Sequence, residues 1–490
     1  MKGEQHHVSC HQCLCHHRPT RTSERASRKR EPEANRGPTS ICKGRGGSFG
    51  GAGMGDPGRL RVAVVGAGAA GLCVARHLLA RPHDFHAPCV WELDSAAGGT
   101  WVYKQHGAGA NLSSIYRDLR TNLPKEVMAF PDFPFDKSLP SFLHHSDVRA
   151  YLDKYIDHFH IRPHIKLQWR VERVQPVPAP EGAPRHEAWD LTARSLADGE
   201  VVTRRYDSVI VCNGHYSKPY LPDIPGLADF KGQVLHSRDY RSRERFAGQA
   251  VALLGAGNSG QDIAVDVSAV AREVWLCHRR APLRSRLPDN VRQAPSVRSF
   301  TDRGVVLADG SERAADAFVF CTGYEYSFPF LAPEARVGVG DRRASPLYKH
   351  MIRAATPTLV FVGLCKLVNP FTFFDCQARY ALATLRDPAL LPPRPEMDAE
   401  ARRESEARRA AGVPERDRHL LGERQWAYMA ELARLLGTPE AAPSAAVRAL
   451  FDAVRAHREG NLLVYRSLNY RITGDGEDGW CVVGSGEGSR

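Results

Sequence analysis

The chain has 490 residues, which predicts two or three domains rather than one. Apolar residues make up 42% and charged residues 25%, a balance that excludes disordered, collagen-like, coiled-coil and small disulfide-scaffold proteins. A net charge of +12 raises nucleic-acid binding, so the position of that charge decides its meaning.

Residues 1–53 hold ten Lys or Arg against four Glu, half of the net charge. The stretch has few large apolar residues and runs out in GRGGSFGGAG. Residues 1–57 are therefore expected to be a disordered basic lead segment. The rest of the chain is only mildly basic, and no nucleic-acid partner is expected. Cys10 and Cys13 have CxxC spacing among several histidines, but no second ligand pair follows at finger-like distance, and no metal is expected. The lead has no apolar h-region of a secretory signal. No run reaches the roughly 18 apolar residues needed to cross a bilayer, so no transmembrane segment is expected. The later cysteines, from Cys73 to Cys481, are single and scattered, which fits reduced thiols and a cytoplasmic location.

The first predicted element is the apolar strand RVAVV, Arg61 to Val65. It runs into Gly66, Ala67, Gly68, Ala69, Ala70 and Gly71, then a helical stretch from Leu72 to Leu79. In such a strand–turn–helix the first glycine allows the tight turn and the second lets a pyrophosphate approach the backbone. The third lets the helix pack on the strand. A second strand, Cys89 to Leu93, carries Glu92 about 20 residues beyond the turn, where an acid can bond a ribose diol. The pattern returns further along. Gln249 to Leu254 leads into Gly255, Ala256, Gly257, Asn258, Ser259 and Gly260, followed by helical QDIAVDVSAVA. The next strand, Glu273 to Cys277, ends in His278, Arg279 and Arg280. Cations at that position suit a 2′-phosphate. One acid-terminated and one arginine-terminated unit predict two dinucleotides, FAD at the first and NADPH at the second, with hydride passing between them.

Between the turns, Phe230-Lys-Gly232-Gln-Val-Leu-His236-Ser-Arg-Asp-Tyr240 matches FxGxxxHxxxY and resembles the flavin-containing monooxygenases. Tyr240 separates it from the Baeyer–Villiger enzymes, which typically end this signature in Trp. Gly98-Gly99-Thr100-Trp101 looks like the family's flavin-contacting segment, and Thr121-Asn122-Leu-Pro124 like its active-site loop. Cys321-Thr322-Gly323-Tyr324 looks like the return from the NADP domain to the FAD domain. PLYKHMI and FDCQARY bring the likeness closest to the branch with plant glucosinolate S-oxygenases and insect alkaloid N-oxygenases. The polar, Gly-rich end of the chain departs from the apolar anchor of membrane-bound members.

The resemblance implies an α/β protein of two Rossmann-like domains. The FAD domain would span 58–214 and 331–480, with the NADP domain at 215–330 inserted in it and a flexible tail at 481–490. Glu400 to His457, rich in Ala, Arg, Glu and Leu, reads as helices packed on the FAD domain. It also implies NADPH- and O₂-dependent oxygenation of soft N or S atoms of small molecules through a C4a-hydroperoxyflavin. This is N,N-dimethylaniline monooxygenase-type chemistry of the kind used in xenobiotic metabolism. Asn122 is the candidate catalytic residue, its amide holding NADP⁺ or water beside the flavin. Thr100, Trp101, Thr121, Thr322 and Gly323 join the glycine turns, Glu92, Arg279 and Arg280 as candidate cofactor contacts. His236 reads as structural, Asn258 either lies near the same junction or caps its helix, and Gln377 is a candidate for the substrate pocket. Self-association as a homodimer and peripheral attachment at the endoplasmic reticulum are left open. The alternatives are a non-catalytic or NADPH-oxidase-like flavoprotein and a Baeyer–Villiger enzyme.

Overall fold

The computed structural model describes residues 58–105, 113–178 and 187–484. The lead segment, with its Cys/His cluster and predicted disorder, lies outside the described residues.

Two five-stranded sheets, parallel throughout, dominate the architecture. The first has the order Leu359–Phe361, Ser208–Val211, Val62–Val65, Cys89–Trp91, Ile165–Lys166. The second has the order Val291–Pro295, Glu273–His278, Ala250–Leu254, Ala317–Phe320, Gln233–His236. Their central strands, VAVV and AVALL, are apolar without alternation and wholly buried, as a parallel sheet covered on both faces requires. The second sheet is drawn entirely from chain lying between two strands of the first. The fold is thus a Rossmann-type unit inserted in another, as expected.

Helix Ala69–Leu79 covers the first sheet and packs on helix Pro370–Arg386. Between these helices His77 Nε2 meets Asp375 Oδ1 at 2.6 Å, and Arg379 adds a 2.7 Å contact to the same carboxylate. The polar pair is buried but mutually satisfied, which is what lets it sit in an apolar layer.

The two crossings into and out of the inserted unit are joined. Lys218–Pro219 pairs antiparallel with Tyr324–Glu325. Tyr220 N–H donates to the Gly323 carbonyl at 2.9 Å, and Thr322 Oγ1 donates to the Tyr220 carbonyl at 2.5 Å. His236 Nδ1 accepts from Arg238 N–H at 3.0 Å, and its Nε2–H donates to the Gly323 carbonyl at 3.1 Å. Burial holds this imidazole well below its usual range, at about 4, so it stays neutral with the tautomer those two bonds need. Tyr240, fully buried, donates its hydroxyl to Asp266 on helix Asn258–Ser268.

The Ala/Arg/Glu/Leu-rich region forms helices Arg394–Ala410, Arg424–Leu435 and Ala445–Gly460. The expected tail starts too early. Cys481 to Val483 belong to strand Trp480–Val483, paired antiparallel with Asn469–Ile472. Trp480 packs at the edge of the cluster around Tyr470, which anchors the hairpin.

Candidate functional site

The two glycine turns are nearly superimposable in their constraints. Gly66 (φ +103°) and Gly255 (φ +112°) take conformations that side chains rarely adopt. A Cβ on Gly66 would stand 2.6 Å from the Cys212 carbonyl oxygen, and one on Gly255 would stand 2.5 Å from that of Cys321. One turn later, a Cβ on Gly71 would meet the Gly66 carbonyl at 1.9 Å, and one on Gly260 would meet that of Gly255 at 1.8 Å. The helices begin at Ala69 and Asn258, behind N-caps Gly68 and Gly257. Neither has a side-chain cap or an acidic residue in its first turn. Their leading N–H groups are therefore left for an anion, and the helix dipole favours one there.

Around the first turn, Gly98 N–H donates to the Ala67 carbonyl at 2.8 Å. That bond sets the turn Gly99–Trp101, with Thr100 and Trp101, beside the glycine loop. A Cβ on Gly68 would lie 3.6 Å from Gly99 Cα, and one on Gly99 only 2.9 Å from Gly68 Cα, so the two glycines form a narrow backbone cradle. Glu92 follows strand Cys89–Trp91 and is buried. Its Oε2 accepts from Ala67 N–H at 2.6 Å and its Oε1 from Asp94 N–H at 2.7 Å. Each oxygen keeps a lone pair for a hydroxyl. Burial pushes the carboxyl up, and the backbone donors oppose it. Ala67 N–H is thus committed to Glu92, while Ala69 and Ala70 are buried at the helix start. This cradle and acid fit FAD.

Around the second turn, Gly257, Asn258 and Ser259 are exposed, and nothing lies within 4 Å of a Cβ built on Gly257. Ala256 is buried and its carbonyl accepts from Gln261 Nε2 at 2.9 Å. Asn258 does not cap its helix. It is the first helical residue, and its Oδ1 accepts from Arg458 at 2.7 Å. Arg279 and Arg280 follow strand Glu273–His278, exposed and without an ion pair or hydrogen bond among the described residues. An open turn with two unpaired guanidinium groups at the next strand end fits NADPH.

Thr121 is buried and pinned. Its N–H donates to the Leu143 carbonyl at 2.8 Å, and its Oγ1 accepts from Leu143 N–H at 3.0 Å. Asn122 beside it is half-buried, and its amide makes no hydrogen bond among the described residues. Lys125 and Glu126 pair with each other at 2.6 Å. Gln377 is not a pocket residue. It is fully buried, accepting from Gly363 N–H at 3.0 Å and donating to Tyr428 at 2.9 Å, so both ends of its amide are used within the core. Arg458 and Arg466 escape sequence reasoning. Their partners Asn258, Gln261, Asp262 and Thr121 lie some 200 residues or more away, and no local pattern marks them.

A family model described as flavin-binding monooxygenase-like matches residues 59–290 and 283–480. The chain belongs to that family. This flavin monooxygenase is 36% identical over 388 residues to "Flavin-containing monooxygenase FMO GS-OX-like 2" of Arabidopsis thaliana, across 74% of this chain and 81% of the relative. Its fold matches S-allyl-L-cysteine S-oxygenase from Allium sativum with a TM-score of 0.76 and 32% identity, covering 83% of this chain and 95% of that one. Tmm from a Pelagibacter strain matches with a TM-score of 0.75 and 26% identity, covering 86% and 96%. The family, the plant branch, the double Rossmann architecture and the FAD and NADPH cofactors follow as expected from the motifs. Among the described residues no helix of this monooxygenase is long and apolar enough to cross a membrane.

Proposed function

We propose that this monooxygenase uses NADPH and O₂ to add one oxygen atom to a soft nucleophilic sulfur or nitrogen of a small molecule. Bound FAD supplies the electron relay and the oxygen activation. The protein's own part is to bind, orient and exclude water. The N–H groups of the Ala69–Leu79 helix start receive the FAD pyrophosphate in the Gly68–Gly99 cradle. Glu92 accepts from the adjacent ribose hydroxyls. The Asn258–Ser268 helix start receives the NADPH pyrophosphate, with Arg279 and Arg280 on the 2′-phosphate. The FAD unit is assigned to 58–214 and 331–480 and the NADP unit to 215–330.

The observation that carries this reading is the pair of uncapped glycine turns with a neutral amide, Asn122, unpartnered among the described residues, on a pinned loop between them in the chain. An amide offers a donor and an acceptor without charge, so it can hold the nicotinamide side of NADP⁺ or a water in one orientation. The S-oxygenase relative favours sulfur over nitrogen as the first atom to test.

The test is NADPH oxidation by the FAD-loaded protein with a panel of thioethers and tertiary amines. Product mass is read alongside hydrogen peroxide. A product heavier by one oxygen is expected, and peroxide alone with every compound would overturn the reading. Asn122→Ala is expected to keep FAD and divert NADPH into peroxide. An unchanged ratio of product to NADPH would remove Asn122 from the site.

A further inference from the structure

The C-terminal segment reaches across both cofactor units and carries two arginines that the steps above do not use. Arg458 donates to Asn258 Oδ1 at 2.7 Å and to Gln261 Oε1 at 3.0 Å, on the first turn of the helix behind the second glycine turn. Arg466 bridges further in. Its Nε donates to the Thr121 carbonyl at 2.9 Å, and its Nη2 to Asp262 Oδ2 at 2.8 Å. Its side chain is only 20% exposed and that of Asp262 11%. Beneath it, Val454, Leu462 and Tyr465 pack in one apolar cluster with Leu123, from the Asn122 loop, and Val265, from the Asn258–Ser268 helix. One planar guanidinium therefore ties the carbonyl immediately before Asn122 to the helix that follows the NADPH turn. A fork with fixed donor directions sets both partners at once, which a lysine does not.

We propose that Arg466 is a positioning residue that couples the nicotinamide dinucleotide to the Asn122 loop. It holds the Thr121 carbonyl against Asp262, so that seating the pyrophosphate on the helix start also fixes the Asn122 amide. This rests on the reading of Asn122 and of the second turn given above. The Thr121 N–H bond to the Leu143 carbonyl and the Leu143 N–H bond to Thr121 Oγ1 keep the loop folded without Arg466. What its loss removes is register with the cofactor helix, not the loop itself.

Arg466→Met leaves the half-buried Asp262 carboxylate without its cation, so a second variant, Asp262→Ala, cuts the same bridge from the helix side. Amide hydrogen exchange of residues 119–124 is followed in FAD-loaded protein with and without NADP⁺. In the parent, NADP⁺ is expected to slow exchange in that segment by at least about fivefold, the lower end of ordinary coupling between sites. In both variants that protection is expected to vanish while protection near 255–262 remains. Hydrogen peroxide per NADPH is expected to rise with FAD content unchanged. Arg466→Lys, which keeps one of the two bonds, is expected to recover part of both effects. Protection of 119–124 that survives in Asp262→Ala, or in a folded Arg466→Met, overturns the proposal. If Asn122→Ala uncouples the enzyme but neither bridge variant changes protection, Arg466 is merely structural and the reading of Asn122 stands. If Asn122→Ala has no effect, that reading falls and this proposal falls with it.

Discussion

Replacing Gly260 by alanine puts a carbon 1.8 Å from the Gly255 carbonyl oxygen. Carbon and oxygen without a hydrogen bond between them keep about 3.3 Å or more, so helix and turn must part by roughly 1.5 Å. Both contacting groups are backbone, and the helix is held on its sheet by Ile263, Ala264 and Val267, all buried. Overpacking a core costs about 1–3 kcal/mol, and this contact belongs at or above the upper end. At about 2–4 °C per kcal/mol for a unit of this size, Tm should fall by roughly 6–12 °C. Gly257→Ala, at the start of the same helix, has the opposite signature. Its backbone (φ −76°) suits alanine and its Cβ meets nothing within 4 Å. Stability should change by no more than about 1 kcal/mol, the value of an altered N-cap. The new methyl instead occupies space assigned to the NADPH pyrophosphate, and NADP⁺ affinity should fall at least about tenfold, or 1.4 kcal/mol. Thermal melts of FAD-saturated protein across an NADP⁺ titration separate the two effects. Gly260→Ala should lower the melt without ligand, and Gly257→Ala should blunt the NADP⁺-induced rise. Equal losses of Tm in both variants, or a full NADP⁺ shift in Gly257→Ala, would refute the steric argument.

The arginine pair gives a cofactor test. Arg279→Ala with Arg280→Ala should raise KM for NADPH at least about tenfold and barely change that for NADH, since only NADPH carries the 2′-phosphate; equal losses for both would remove the assignment. Acid should unfold the protein through buried histidines. Burial holds His215 and His419 at about 3 and His236 at about 4, all below their ordinary value. The unfolded chain therefore binds more protons below pH 6.5, so this stability is complete above 6.5 and lost as pH falls toward 4 and 3. Each histidine can contribute up to about 1.4 kcal/mol per pH unit across its window. His236→Gln should flatten the fall in Tm between pH 6.5 and 4, and an unchanged slope would contradict the neutral, buried assignment.

What could be read from the sequence was what sterics dictate locally. Gly66 and Gly255 must be glycine because of their backbone angles, and Gly71 and Gly260 because a carbonyl touches them. The helices begin at Ala69 and Asn258, three residues before the predicted starts at Leu72 and Gln261. Gly71 and Gly260 look like turn residues but already lie inside the helices, where the missing side chain serves packing. Gln377 illustrates a polar residue among apolar neighbours whose pattern does not say whether it faces a pocket or a core. Its partners, Gly363 and Tyr428, come from other elements. Arg466 marks the limit of such reading, because a bridge to Thr121 and Asp262 exists only once the chain has folded back on itself.

The nesting of one sheet within the other also orders the chain in time. The second sheet has all its strands once residue 320 has left the ribosome, whereas the first waits for Leu359–Phe361 to reach Ser208–Val211. Domains tend to fold as units during synthesis. The inserted unit can therefore close while its host is still missing an edge strand. During that interval the outer edge of Ser208–Val211 lacks its partner strand and is open to pairing with another chain.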